Sequence, residues 1–168
     1  MSQEQAKKLA HLLNEQSIAE IDTWIAKYPE DQKQSAVMAA LRIAQQQNGG
    51  WLTEELMNAV AEYLDMPGIA VYEVATFYSM YEHQPVGRHK ICVCNSISCL
   101  LNGSEKTIDY LQEKLGVKLN EVTEDGKFSI KEVECLGACV GAPAIMIGNQ
   151  YYENLTPEKI DQIMEGLD

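Results

Sequence analysis

The chain has 168 residues, with 13 basic and 25 acidic side chains and a formal net charge of −12. That length suffices for one large core or for two small domains. The negative charge would repel a phosphate backbone, which argues against a nucleic-acid partner. The first twenty residues lack the apolar stretch of a signal peptide, and no segment reaches membrane-spanning length. We therefore expect a cytoplasmic protein with no direct membrane insertion.

The first half of the chain has the pattern of successive amphipathic helices and contains no cysteine. Apolar residues recur at intervals of three and four between residues 9 and 28, and Pro29 ends that pattern. A second apolar stripe over residues 35–47 is followed by the Gly49-Gly50 pair, which is typical of a helix end. These segments predict three helical stretches.

Two more helices are predicted before residue 82. Thr53 is a natural N-cap, and the apolar spacing that follows it extends to a stop near Met66. Residues 69–81 are apolar on nearly every side, so a helix formed by them must be almost surrounded. It can pack inside its own helical bundle or dock on another subunit.

The sequence changes character between His83 and Gly87, and we place a domain boundary there, between residues 1–85 and residues 86–168. The predicted elements of the second part are a strand at 89–94, a helix at 107–115, a strand at 128–134, strands at 144–147 and 150–153, and a helix from Thr156. That order is compatible with a small mixed sheet flanked by helices, as in the thioredoxin architecture.

All five cysteines lie in the second half, and four form two spaced pairs, Cys94 with Cys99 and Cys135 with Cys139. Each pair is near the end of a predicted strand, where a loop can turn two thiolates toward one point. Thiolates suit zinc or an iron-sulfur cluster. Structural zinc commonly uses CxxC and the thioredoxin dithiol requires it, but this chain has none. The spacing favours a [2Fe-2S] cluster, and a zinc-stabilised interaction module is the alternative.

The surroundings of the two pairs add to this interpretation. Gly137 and Gly141 bracket the second pair and Gly103 follows the first, so backbone amides can approach the sulfurs and donate hydrogen bonds. A four-thiolate cluster in an acidic protein is expected to have a low potential. Cys92 shares a strand face with Cys94 but lies further from the loop, and we interpret it as buried packing.

Several short motifs carry a family resemblance. They are GWL at 50–52, VATFYSMY at 74–81, CNSISC at 94–99, Gly103, DGKF at 125–128, ECLGAC at 134–139 and Ala142-Pro143. With these motifs the chain resembles the E-subunit family of bacterial NADH-quinone oxidoreductase, the counterpart of the [2Fe-2S] subunit of mitochondrial complex I. The resemblance implies that Cys94, Cys99, Cys135 and Cys139 are the cluster ligands, that each pair holds one iron, and that Cys92 is not a ligand.

The resemblance also implies a mixed fold, α+β or α/β. An N-terminal helical bundle at residues 1–85, used for partner docking, is followed by a thioredoxin-like [2Fe-2S] ferredoxin domain at residues 86–168. The Ala142-Pro143 bond lies where thioredoxin-like folds often have a cis proline, and the sequence leaves its isomer open. His11, His83 and His89 show no spacing typical of a metal or acid-base site, and no catalytic residue is expected.

For function, the resemblance implies a subunit of the proton-translocating NADH:quinone oxidoreductase that is not catalytic alone. It implies a place in the peripheral arm, at the inner face of the cell membrane, against a larger F subunit that binds NADH, FMN and a [4Fe-4S] cluster. The chain has neither a GxGxxG turn nor a GxxxxGK loop, so flavin and NADH are expected on that partner. The equivalent diaphorase subunit of an NAD-linked hydrogenase or formate dehydrogenase is the alternative within the same class.

Overall fold

The structure is a computed structural model, and it describes residues 9–167. The chain divides into two compact units, with the division between Pro85 and Val86. Helices alone make up the described part of the first unit, whereas the second contains a four-stranded sheet with helices. Within residues 9–167 there is no helix long and apolar enough to cross a membrane.

Four α-helices build the described part of the first unit: α1 (Glu15–Ile25), α2 (Val37–Gln47), α3 (Glu54–Tyr63) and α4 (Gly68–Phe77). Short 3-10 turns at Ala10–Leu12 and Glu30–Ala36 precede α1 and α2. The predicted N-cap of α3 is confirmed, because the Thr53 hydroxyl oxygen accepts a hydrogen bond from the backbone N–H of Leu56 at 3.1 Å. This cap satisfies a donor that the first turn would otherwise leave without a partner.

Each of these helices places one apolar stripe in a common core. The core includes Ile21 from α1, Leu41 from α2, Val60 from α3 and Val71 from α4, all of them fully buried. Burying a side chain of this size contributes roughly 1.5–3 kcal/mol to folding. The apolar residues spaced three and four apart in the sequence are therefore the ones that pack in the core of this bundle.

Helix α4 differs from its prediction in length and in burial. It ends at Phe77, because Tyr78 has extended backbone angles. The prediction of an almost surrounded helix is wrong for the isolated chain: Ile69 is 66% exposed and Phe77 is 79% exposed, while Val71 and Ala75 are buried. Among the described residues, α4 packs mainly against α2 and α3.

The second unit is built around a sheet of strand order β2-β1-β3-β4. Its elements are β1 (His89–Cys94), α5 (Ile97–Leu101), α6 (Ser104–Leu115), β2 (Phe128–Val133), β3 (Ile145–Ile147), β4 (Gln150–Tyr152) and α7 (Pro157–Glu165). Strand β1 runs parallel to β2, with His89 opposite Phe128, and antiparallel to β3, with Cys92 opposite Met146. Strands β3 and β4 form the predicted hairpin across Gly148 and Asn149.

One face of this sheet carries the core of the second unit. Ile91 and Val93 of β1 pack in one cluster with Leu111 of α6 and Ile160 of α7. Because side chains alternate across a strand, Cys92 and Cys94 are on the opposite face of β1. Cys92 is buried there, as predicted.

Three local features were not fixed by the sequence pattern. The short helix α5 was not predicted, and α6 begins at Ser104, three residues before its predicted start. Gly103 joins the two helices with a φ of 93°, a left-handed angle that glycine adopts at little cost. The Ala142-Pro143 bond, whose isomer the sequence left open, is cis.

Candidate metal centre

The first cysteine pair lies at the end of β1. Cys94 is the last residue of the strand and Cys99 is in α5, whose N-cap is Ser96. Both side chains are buried, and the Cys99 thiol donates a hydrogen bond to the sulfur of Cys94. The CxxxxC spacing therefore brings two thiols into contact through a turn and one short helix.

The two thiols of this pair differ in acidity. Burial raises the pKa of Cys94, but hydrogen bonds from the backbone N–H groups of Leu136 and Ser96 and from the Cys99 thiol outweigh it and lower the pKa below its ordinary value. Burial and the hydrogen bond to Cys94 raise the pKa of Cys99. Since thiolate is the form that binds metal, this pocket favours the metal-binding form at Cys94.

The second pair follows β2. Cys135 and Cys139 are both exposed, and a short 3-10 turn begins at Cys139. Between them, Gly137 has a φ of 79°, and its backbone N–H donates a hydrogen bond to the Cys135 sulfur at 3.3 Å. The amide approach expected from this glycine is thus present.

The two loops meet at the buried pair. Leu136 and Ala138 of the second loop pack against the cluster formed by Cys94, Cys99 and Ala144. The Ala144 backbone N–H donates to the Cys99 sulfur and lowers its pKa, although the net shift remains upward. The electrostatic effect of Cys139 also raises the pKa of Cys99, so these two side chains lie near each other.

The four thiols lie in two loops that pack against each other. Within residues 9–167, no group of three or more Cys, His, Asp or Glu side chains is arranged to hold one metal ion. Four thiols in two adjoining loops, with backbone amides directed at the sulfurs of Cys94, Cys99 and Cys135, fit a [2Fe-2S] cluster.

Gly141 lets the loop after Cys139 pack against the end of β4. A Cβ atom at Gly141 would lie 2.2 Å from Oε2 and 2.5 Å from Cβ of Glu153, which is closer than real Cβ contacts. The Gly141 carbonyl accepts a hydrogen bond from the Asn154 backbone N–H at 2.6 Å. The sequence indicated an amide donor at Gly141, whereas the structure indicates a packing requirement.

Sequence reasoning missed the polar side chains beside the first pair. Ser96 donates through its hydroxyl to Oε2 of Glu134 at 3.3 Å, and Asn95 bonds to residues in both β2 and α6. The available signal was the Asn-Ser dipeptide directly after Cys94, since both residue types commonly fix turns through side-chain hydrogen bonds.

Comparison with known proteins agrees with this fold. The family model described as thioredoxin-like [2Fe-2S] ferredoxin matches residues 21–168. A chain in the crystal structure of an NAD+-reducing [NiFe]-hydrogenase, in its air-oxidized state, is 20% identical with a TM-score of 0.67, and the match covers 82% of this chain and 24% of that one. The fold and its cysteine loops therefore define a thioredoxin-like [2Fe-2S] ferredoxin with added N-terminal helices, which confirms the predicted fold class.

Named relatives narrow the class further. A protein from Rickettsia bellii (strain RML369-C), named as the E subunit of NADH-quinone oxidoreductase, is 50% identical over 143 residues, which are 85% of this chain and 86% of the relative. Its counterpart from Rickettsia felis (strain ATCC VR-1525 / URRWXCal2) is 48% identical over 84% of each chain. The chain belongs to the thioredoxin-like [2Fe-2S] ferredoxin family and to the E-subunit family of NADH-quinone oxidoreductase.

Proposed function

We propose that this chain is the electron-transfer subunit of an NADH-quinone oxidoreductase, and that it holds one [2Fe-2S] cluster through Cys94, Cys99, Cys135 and Cys139. The observation that carries the proposal is the meeting of the two loops, where the Leu136 amide of the second loop donates to the Cys94 sulfur of the first. The 50% identity to the E subunit from Rickettsia bellii supports the assignment to that complex.

Different parts of the site would bind the [2Fe-2S] cluster and stabilise its negative charge. When bound, a [2Fe-2S] cluster supplies one-electron transfer. The thiolates hold the iron, and backbone amides such as that of Ser96 stabilise negative charge on the sulfurs. The buried pair, Cys94 and Cys99, limits solvent access on one side, whereas Cys135 and Cys139 lie at the surface. This chain makes and breaks no substrate bond itself.

The electron partner, in this proposal, is FMN in an adjacent F subunit that also binds NADH. The surface near the cysteines supports an interface, because Ile97 is 69% exposed, Leu101 is 79% exposed and Val140 is fully exposed. Apolar side chains exposed together are typical of docking surfaces. Such a contact would place this chain in the peripheral arm of the complex, at the inner face of the membrane.

The first unit, residues 1–85, would add a second docking surface. Its exposed apolar side chains on and after α4 include Ile69, Tyr72, Phe77 and Met80. A helix that is apolar on all sides but covered on only one is typical of a protein that packs against another subunit. We assign this face to partner docking.

The diaphorase subunit of an NAD-linked hydrogenase or formate dehydrogenase is the alternative within the class. The fold likeness to the hydrogenase chain accompanies only 20% identity, against 50% for the relative from Rickettsia bellii. The larger identity favours the quinone-linked complex. Purification of the native assembly, followed by assays with a quinone and with hydrogen or formate as substrates, separates these functions.

Composition of the purified chain tests the cluster. Anaerobically prepared protein should contain about two iron and two acid-labile sulfide atoms per chain and give one unpaired spin after reduction. The zinc-stabilised interaction module predicts a colourless protein with zinc and no sulfide. Recovery of a flavoprotein with this chain from native membranes tests the proposed partner.

A further inference from the structure

The side-chain amide of Asn95, directly after Cys94, is hydrogen-bonded at both ends. Its Oδ1 accepts a hydrogen bond from the Ser104 hydroxyl, and its Nδ2 donates to Oε1 of Glu132 at 2.9 Å. Ser104 is the first residue of α6 and is fully buried, whereas Glu132 is in β2. One side chain thus ties the start of the first cysteine loop to a helix and to a strand.

The backbone holds the same segment at both ends. The Asn95 N–H donates to the Val133 carbonyl at 3.1 Å, which extends the pairing of β1 with β2 by one residue. At the other end, the Asn102 N–H donates to the Ser98 carbonyl at 3.2 Å, and α5 continues through Gly103 into α6. Cys99 lies between these two anchored points, so the separation of Asn95 from Ser104 fixes where α5 presents its thiol.

We propose that Asn95 is a positioning residue, which holds Cys94 and Cys99 in their ligand arrangement by bridging Ser104 and Glu132. This inference rests on the proposed [2Fe-2S] function. Asparagine suits the place because it offers one acceptor and one donor on a short side chain. Aspartate has the same shape and can still accept from Ser104, but it cannot donate to Glu132 and adds a like charge there.

The test uses the full chain carrying its cluster and measures two quantities, the rate of iron loss to a chelator and the electron paramagnetic resonance spectrum after reduction. N95D should lose iron roughly five- to tenfold faster, because one hydrogen bond is lost and two carboxylates face each other. Its g values should shift, because the geometry at Cys94 changes. The N95D/E132Q double variant restores a donor and an acceptor with their roles exchanged, and should return both quantities toward wild type.

Further variants keep the test decisive if N95D fails to fold. S104A removes the other hydrogen bond without adding charge and should also speed iron loss. Y110F serves as the matched control, because it removes a hydrogen bond that joins α6 to Asp161 of α7 and does not involve the cysteine loop. Its iron loss and spectrum should equal those of wild type.

The outcomes separate this inference from the proposed function. If the wild-type chain binds its cluster while N95D and S104A match it in rate and spectrum, Asn95 has no positioning role. If N95D is defective and N95D/E132Q is equally defective, the bridge to Glu132 is not the cause and the inference fails. A wild-type chain containing zinc and no sulfide would overturn the proposed function and this inference together.

Discussion

The backbone N–H of Leu136 donates a hydrogen bond to the sulfur of Cys94, so a residue of one cysteine loop stabilises a thiolate of the other. Cys94 ends β1, and Leu136 lies three residues beyond β2, the parallel neighbour of that strand. Parallel strands bring their carboxyl ends to the same edge of a sheet, which is why loops about 40 residues apart in sequence meet here.

Removal of the Leu136 amide should lower the reduction potential of the proposed [2Fe-2S] cluster. L136P deletes the N–H that stabilises negative charge on Cys94, and a bond worth about 1 kcal/mol corresponds to about 40 mV for one electron. L136A is the matched control, because it removes the side chain and keeps the donor. A redox titration compares the two variants, and equal potentials would show that the amide stabilises the oxidised and reduced states equally.

Substitution of Gly141 should destabilise the second cysteine loop. In G141A the new methyl group would overlap the side chain of Glu153, and overpacking of this kind costs about 1–3 kcal/mol. Gly166 provides the control, since a Cβ there would lie 3.5 Å or more from its nearest neighbours. Urea unfolding followed by circular dichroism measures both variants, and equal midpoints for G141A and G166A would contradict the expectation.

Serine substitutions should separate ligands from packing cysteines. C94S, C99S, C135S and C139S each replace a proposed thiolate ligand, and each should lower the iron and sulfide content of the purified chain. C92S is the control, because Cys92 is buried on β1 and lies outside both loops. Iron content that falls only in C92S would reverse the assignment.

Tyr63, in the helical bundle, should ionise only at high pH. Burial, followed by the hydrogen bond from the Tyr63 hydroxyl to Oδ1 of Asp22 at 2.5 Å, raises the pKa of Tyr63 to about 12. Because the folded pKa lies above the unfolded value of 10.0, the stabilisation is fully present below pH 10 and is lost as the pH rises toward 12.

Y63F tests that assignment through stability. The hydrogen bond lies in a partly exposed position, so Y63F should cost less than about 1 kcal/mol at pH 7. The difference between Y63F and wild type should shrink above pH 11, as measured by urea unfolding at each pH. A difference that stays constant up to pH 12 would argue against a raised pKa.

The exposed face of α4 should matter for assembly and little for folding. F77S replaces a side chain that is 79% exposed, so its free energy of unfolding should stay within about 0.5 kcal/mol of wild type. It should nevertheless reduce recovery of the proposed flavoprotein partner from native membranes. Y151S, at an exposed tyrosine of β4 in the other unit, is the comparison. If F77S and wild type recover equal amounts of the flavoprotein, the exposed face of α4 is not part of the docking surface.

The spacing of apolar residues predicted most of the fold, because most helices and strands bury one face. The alternating core of β1, the Thr53 cap and the hairpin across Gly148 all follow from local rules that tertiary packing did not override. The burial of α4 was predicted wrongly from composition. Because its residues are apolar on nearly every side, the sequence does not show which side packs against the rest of this chain. The spacing of the cysteines indicated the two loops, which the structure brings together.

Other parts of the candidate site depend on distant contacts. The bridge from Asn95 to Ser104 and Glu132 joins residues 9 and 37 positions away, and the approach of Gly141 to Glu153 depends on where β4 ends. No local pattern encodes those distances. The cis form of Ala142-Pro143 likewise depends on its surroundings in the fold.

The unequal burial of the two thiol pairs determines which pair a reagent in solution reaches first. Cys94 and Cys99 are enclosed by Leu136, Ala138 and Ala144, whereas Cys135 and Cys139 face the solvent. A chelator or oxidant from solution therefore reaches the second loop first. If the four thiols hold the proposed cluster, oxidative damage should begin at the exposed pair and reach the inner pair last.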